Sequence, residues 1–237
     1  MTLYRDSAIV LRGWKLGEPD RIVSMLGESS GKIRAVVKGV RKTKSKFGAR
    51  LEPLSVVSLL CWKGRELDVV SQAETIEIFR FIREDLDRLF KANVILELVE
   101  QVAQEEHPDP ELYRLAIGAL RVLDRDNPAM LLSSFVWKLL DQQGYRPQTD
   151  RCAVCGSTDL VGFDSSLGGA LCELHCGGRK VSTSALGIIA MSLEGKLSKV
   201  LLIDDPALIA ETEVIALAAV EATLDRRLRS LRSVIEH

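Results

Sequence analysis

The chain has 237 residues, 46% hydrophobic and 27% charged, with a formal net charge of only -1. That length suits two domains better than one small domain, and that composition excludes a disordered or low-complexity chain. No apolar run reaches the ~18–20 residues a membrane span requires, and the first residues lack the layout of a signal peptide, so a cytoplasmic protein is expected.

The first eighty residues read as β structure. Short apolar runs at Ser7–Leu11 and Arg21–Leu26 are followed by the turn residues Ser29, Ser30 and Gly31. From Lys32 to Gly39 the sequence nearly alternates. A period of two turns Ile33, Ala35 and Val37 to one face and Lys32, Arg34 and Lys38 to the other. Leu54–Leu60 and Glu66–Ser71 read as two more strands, with a hairpin turn at Trp62–Arg65. Five short strands in this space predict a small barrel, here residues 1–80.

Eight basic residues and no acidic one lie between Lys32 and Arg50: Lys32, Arg34, Lys38, Arg41, Lys42, Lys44, Lys46 and Arg50. In a chain of near-zero net charge this is a local concentration. Such a block repels itself, and a polyanion relieves the repulsion. Nucleic acid is the commonest such partner, because every phosphate neutralised releases a condensed counterion. The stretch from Gly39 to Arg50, with its flanking glycines, is expected to be an exposed loop outside the core. Trp14 and Trp62 are expected in the barrel core, and Phe47 on the exposed loop.

From Phe81 the period becomes helical. Helices are expected from there to about Val102, over Pro110–Asp124, over Asn127–Gln143 with Gly144 as the stop, over Ser182–Leu193 and over Pro206–Ile235. The last carries a basic end, Arg226, Arg227, Arg229 and Arg232, which offsets a helix C-terminus. The expected architecture is α+β and multidomain: a barrel, then an all-α domain over 81–237 with an insert at 150–180.

That insert holds Cys152-Ala153-Val154-Cys155, a sixteen-residue gap, and Cys172-Glu173-Leu174-His175-Cys176. Two close pairs at this distance have the spacing of a structural zinc site, with the thiolates of a C-x2-C turn set a tetrahedral edge apart. The fourth ligand is open at this level: His175 gives C-x2-H and Cys176 gives C-x3-C. A closed four-ligand site leaves no position for a catalytic water. Cys61 reads as a small core residue. No nucleophile triad, Walker loop or dinucleotide-binding glycine motif occurs, so no enzyme is predicted.

Several segments resemble the bacterial recombination-repair RecO family. They are Ala8-Ile9-Val10-Leu11, Gly17-Glu18 with Asp20-Arg21-Ile22-Val23, Gly31 through Arg41, Ser45 through Pro53, Gly144-Tyr145-Arg146-Pro147, and Gly168 through Cys172. The stretch Lys38–Pro53 is the most specific. The resemblance implies an N-terminal OB-fold and a helical C-terminal domain with a zinc insert. Its glycine register, Gly177-Gly178 here, favours His175 over Cys176 as fourth ligand. It also implies a non-enzymatic, nucleoid-associated recombination mediator that binds ssDNA and dsDNA and promotes strand annealing. With a RecR-like partner, such a protein helps load RecA recombinase onto DNA coated by single-strand-binding protein (SSB). An alternative within the same resemblance is an adaptor that docks the acidic C-terminal tail of SSB with little direct DNA contact.

Overall fold

The structure, a computed structural model, describes residues 2–41, 45, 47–177 and 179–230. They form two compact units. One comprises the described residues up to Arg125 together with Ser230, and the other Asp126–Arg229.

The first unit begins with five strands: β1 (Leu3–Leu16), β2 (Asp20–Gly27), β3 (Gly31–Val37), β4 (Ser55–Trp62) and β5 (Asp68–Ile78). They close into a barrel in the order β1-β2-β3-β5-β4. All pairings are antiparallel except β3 with β5, where Ala35 and Val36 face Asp68 and Val69. The alternation expected in β3 is present: Ile33, Ala35 and Val37 are buried in the barrel core, while Lys32 and Val36 are half-buried and Arg34 is exposed. Ala8, Val10, Val23, Met25, Val57 and Leu59 fill the same interior, and Cys61 joins them as expected. Burial, and then the negative charge of Asp68, push the Cys61 thiol up to about 12.

The loop after β3 departs from expectation. Val40, Phe47 and Leu51 are buried in the barrel core, with Phe47 only 2% exposed. The β3–β4 connection thus plugs one part of the barrel with its apolar side chains, a role that its basic and glycine-rich neighbours conceal. The tryptophans depart in the opposite sense. Trp62 is 40% exposed, and Trp14 is half-buried with the Arg12 guanidinium 5.6 Å from its ring centre.

Three helices complete this unit: α1 (Arg80–Glu84), α2 (Leu86–Val102) and α3 (Pro110–Arg125). The Asp85 side chain caps α2 by accepting from the Arg88 amide, satisfying one of the orphan donors of its first turn. Helix α2 lies against β1 and β2. Ile9 and Leu26, fully buried yet outside the barrel interior, are on the strand faces there.

The second unit contains α4 (Leu131–Gln142), α5 (Thr183–Leu193), α6 (Leu197–Val200) and α7 (Pro206–Leu224), with a hairpin of β6 (Leu160–Asp164) and β7 (Gly169–Cys172). Trp137 on α4 meets Phe163 on β6 edge to face, with ring centres 5.5 Å apart, which ties the insert to the helices. Helix α7 starts at a cap in which Asp205 accepts from the Ala207 and Leu208 amides. It stops at Leu224 instead of continuing to Ile235. Asp225 takes a left-handed backbone conformation, and the Leu228 amide donates to the Glu221 carboxylate. Aspartate is among the few residues that enter that conformation at small cost, so it ends a helix whose apolar stripe continues in sequence. Arg226 and Arg227 therefore follow the helix instead of belonging to it, and Arg232 lies outside the described residues.

Candidate metal centre and nucleic-acid interface

The first pair of cysteines sits on a tight turn. The Gly156 amide donates to the Cys152 carbonyl at 2.9 Å, and Gly156 has a φ of 79°, which glycine adopts freely. Cys172 ends β7, and the following turn is closed by amides of His175 and Cys176 donating to the Cys172 carbonyl at 3.0 and 2.9 Å. The two turns bring together the Sγ atoms of Cys152, Cys155 and Cys172 and a ring nitrogen of His175, all within 4.8 Å of one another.

The edges of this group are informative. Cys155 Sγ to Cys172 Sγ is 3.7 Å, Cys152 Sγ to His175 Nδ1 is 3.6 Å, and Cys172 Sγ to His175 Nδ1 is 3.3 Å. A tetrahedral ion with bonds of about 2.3 Å to sulfur and about 2.0–2.1 Å to nitrogen has edges of roughly 3.4–3.8 Å. The donor set and these three edges therefore fit a tetrahedral metal ion, of the kind zinc forms with cysteine and histidine. Burial disfavours the Cys152 thiolate, but backbone amides of Cys172, Cys155 and Val154 more than offset this and hold the thiol down at about 6. At Cys155 the Ser157 amide favours the thiolate, while burial and the sulfurs of Cys152 and Cys172 outweigh it and push the thiol up. The Cys152 sulfur is thus ready to carry charge, whereas the Cys155 sulfur resists it and would be favoured as thiolate by a bound cation. Cys176 is outside the group, with its Sγ donating to the Arg179 carbonyl at 3.7 Å.

The basic residues of the first unit divide into two sets. Lys32 Nζ donates to the Glu100 carbonyl at 2.6 Å, so it compensates the last turn of α2. Arg34 stands 3.4 Å from Glu105. At the other end of β3, Lys38, Arg41 and Arg50 are exposed. One guanidinium nitrogen of Arg41 donates to the Glu18 carbonyl at 2.8 Å, which secures the β1–β2 turn. Lys42, Lys44 and Lys46 lie outside the described residues.

A row of outward side chains crosses the same barrel. Trp14 pairs with Ile22, Ile22 with Val36, Val36 with Val69, and Val69 with Trp62. None of the five belongs to the barrel core. Sequence reasoning missed this row because a single strand does not disclose its register with the next. It missed the carboxylates facing Arg34 for the same reason: Glu105 is close in space but far along the chain. The only signal was the acidic concentration between Glu97 and Glu111.

No helix among the described residues is long and apolar enough to cross a membrane. Residues 1–79 match the family model for the N-terminal part of recombination protein O, and residues 83–232 match that for its C-terminal part. A protein named DNA repair protein RecO from Frankia casuarinae is 40% identical over 239 residues, covering 98% of each chain. Proteins of the same name from Bifidobacterium longum and Cutibacterium acnes are 46% and 45% identical, over 73% and 74% of this chain and 74% and 75% of theirs. A barrel, a helical unit with a Cys3His group and these matches agree: the chain belongs to the RecO family of DNA repair and recombination proteins.

Proposed function

We propose that this protein is a non-enzymatic recombination mediator. It binds ssDNA and dsDNA, promotes annealing of complementary strands and, with a RecR-like partner, helps load RecA recombinase onto SSB-coated single strands. The N-terminal barrel is read as an OB-fold, on the strength of its strand order and its one parallel pairing between β3 and β5. Residues 1–80 then form the DNA-binding module and 81–237 a helical domain. The acidic tail of SSB is a second ligand of the same protein.

The observation that carries this reading is the coincidence of two surfaces on one barrel. Lys38, Arg41 and Arg50 are exposed, and the row from Trp14 to Trp62 points outward. Phosphates are neutralised by the first set, and unpaired bases stack on the second. Phosphate contacts position the strand without reading its sequence, which suits a protein that must act on any strand. Annealing needs no covalent step. It needs two like-charged strands held close together, and cationic side chains lower the cost of that approach. The predicted zinc, held by Cys152, Cys155, Cys172 and His175, is structural. Bound there, it would supply ordering energy to an insert whose own apolar core is small.

The test is charge reversal. Changing Arg41, Lys42, Lys44 and Lys46 together to Glu is expected to lower the rate of annealing of complementary oligonucleotides at least tenfold and to weaken binding to both ssDNA and dsDNA. Annealing at the native rate by a folded protein of this kind would remove the basic segment from the mechanism.

A further inference from the structure

A small pocket lies between the start of β3 and the loop that joins β4 to β5. Lys32, Arg34, Lys63 and Arg65 line it, together with Glu105 and Glu106 from the α2–α3 connection. Lys32 is committed to the α2 carbonyl of Glu100. Two of the other cations meet carboxylates: Arg34 is 3.4 Å from Glu105 Oε1, and Lys63 Nζ is 3.1 Å from Glu106 Oε1. The hydrogen bond to Glu106 raises the Lys63 pKa above its ordinary value. Asp68 also lines the pocket, where it is buried and accepts from the Tyr4 hydroxyl and the Gly64 amide. Glu66 is exposed on the same rim.

The backbone of the acidic connection is fixed to the barrel. The Lys32 amide donates to the Gln104 carbonyl at 2.9 Å, and Glu105 bridges to Gly31 and Lys32. Gly31 has a φ of 69°, and a Cβ there would collide with the His107 carbonyl, so the close approach requires glycine. The carboxylates themselves are loosely held, with side-chain exposures of 48% for Glu105 and 71% for Glu106. Exposed ion pairs of this kind contribute little, so an incoming polyanion can displace them by side-chain rotation alone.

We infer that Arg34, Lys63 and Arg65 form a phosphate-binding pocket for a nucleic-acid backbone, and that the Glu105 and Glu106 carboxylates occupy the phosphate positions and gate it. This rests on the DNA-binding reading above. Lys63 and Arg65 lie outside the basic run that the sequence displays, and they reach it only through the barrel's closure. The gate offsets most of what phosphate contacts here would gain, so the pocket adds little to the native chain's affinity until the carboxylates are neutralised.

Affinity for a fluorescein-labelled oligo(dT) at one low salt concentration tests this. The near-isosteric variant E105Q/E106Q is expected to bind about three- to tenfold tighter than the native chain. Adding K63A/R65A to it should abolish the gain, whereas K63A/R65A alone should change affinity by less than about twofold. The variant E84Q/E111Q removes the same charge elsewhere on this unit and should show no comparable gain. An equal gain in that control, a gain that survives K63A/R65A, or no gain at all would overturn the gated pocket. If the native chain binds and E105Q/E106Q binds no tighter, the pocket alone fails. If neither binds, the DNA-binding reading fails with it.

Discussion

At the residue scale the sharpest question is which side chain completes the metal group. The sequence spacing admits His175 and Cys176 equally, and only the glycine register that follows favours the histidine. The fold separates them physically. The turn after β7 brings His175 Nδ1 to within 3.3–3.6 Å of two cysteine sulfurs, while Cys176 Sγ is engaged with the Arg179 carbonyl. Removing a ligand from a closed site leaves an incomplete tetrahedron and thiolates without a counter-charge. H175A is therefore expected to lose bound zinc, measured by release to a chromogenic chelator, and to melt at a lower temperature. C176A should keep one zinc per chain. The opposite pattern would give the fourth position to Cys176. The cysteine group itself was legible because two close pairs at this distance have the spacing that a metal-holding turn requires. The assignment of the last ligand depends on one turn's hydrogen bonds, which spacing does not encode.

Elements differ in how plainly they announce themselves. Strand β3 was legible because one of its faces fills the barrel and alternation is the direct signature of that burial. Strand β1 runs from Leu3 to Leu16, far beyond its apolar stretch Ser7–Leu11, since pairing with both β2 and β4 extends it over polar positions. The β3–β4 connection misled because its glycines and cations dominate its composition, whereas the structural fact is the burial of Val40, Phe47 and Leu51. Helix α7 ends at a single left-handed aspartate inside an unbroken apolar stripe. The row across Trp14, Ile22, Val36, Val69 and Trp62 exists only through strand register. It carries a prediction at this scale. A base stacked on an exposed aromatic contributes about 1–3 kcal/mol, so W62A is expected to weaken ssDNA binding about five- to hundredfold. Its effect on fully paired dsDNA should be much smaller, because paired bases present no free face. Equal losses on both ligands would show that Trp62 acts through the fold of the barrel.

For the whole molecule, function is read from charge placement more than from net charge. The sequence places eight cations in one run, and a single strand contacting all of them would give a log–log salt slope of roughly -5 to -6. The structure commits Lys32 to a helix end and sets Arg34 against Glu105. The contact surface proposed above is therefore smaller than the run, and its described residues are Lys38, Arg41 and Arg50. The most direct test is fluorescence anisotropy of the zinc-loaded protein with a labelled single-stranded oligonucleotide across a salt series. Micromolar or tighter binding at low salt, with a slope of roughly -2 to -4, is the expected result. A folded, zinc-loaded protein that fails to bind at low salt, or whose affinity is insensitive to salt, would contradict the account of this barrel as a DNA-binding surface.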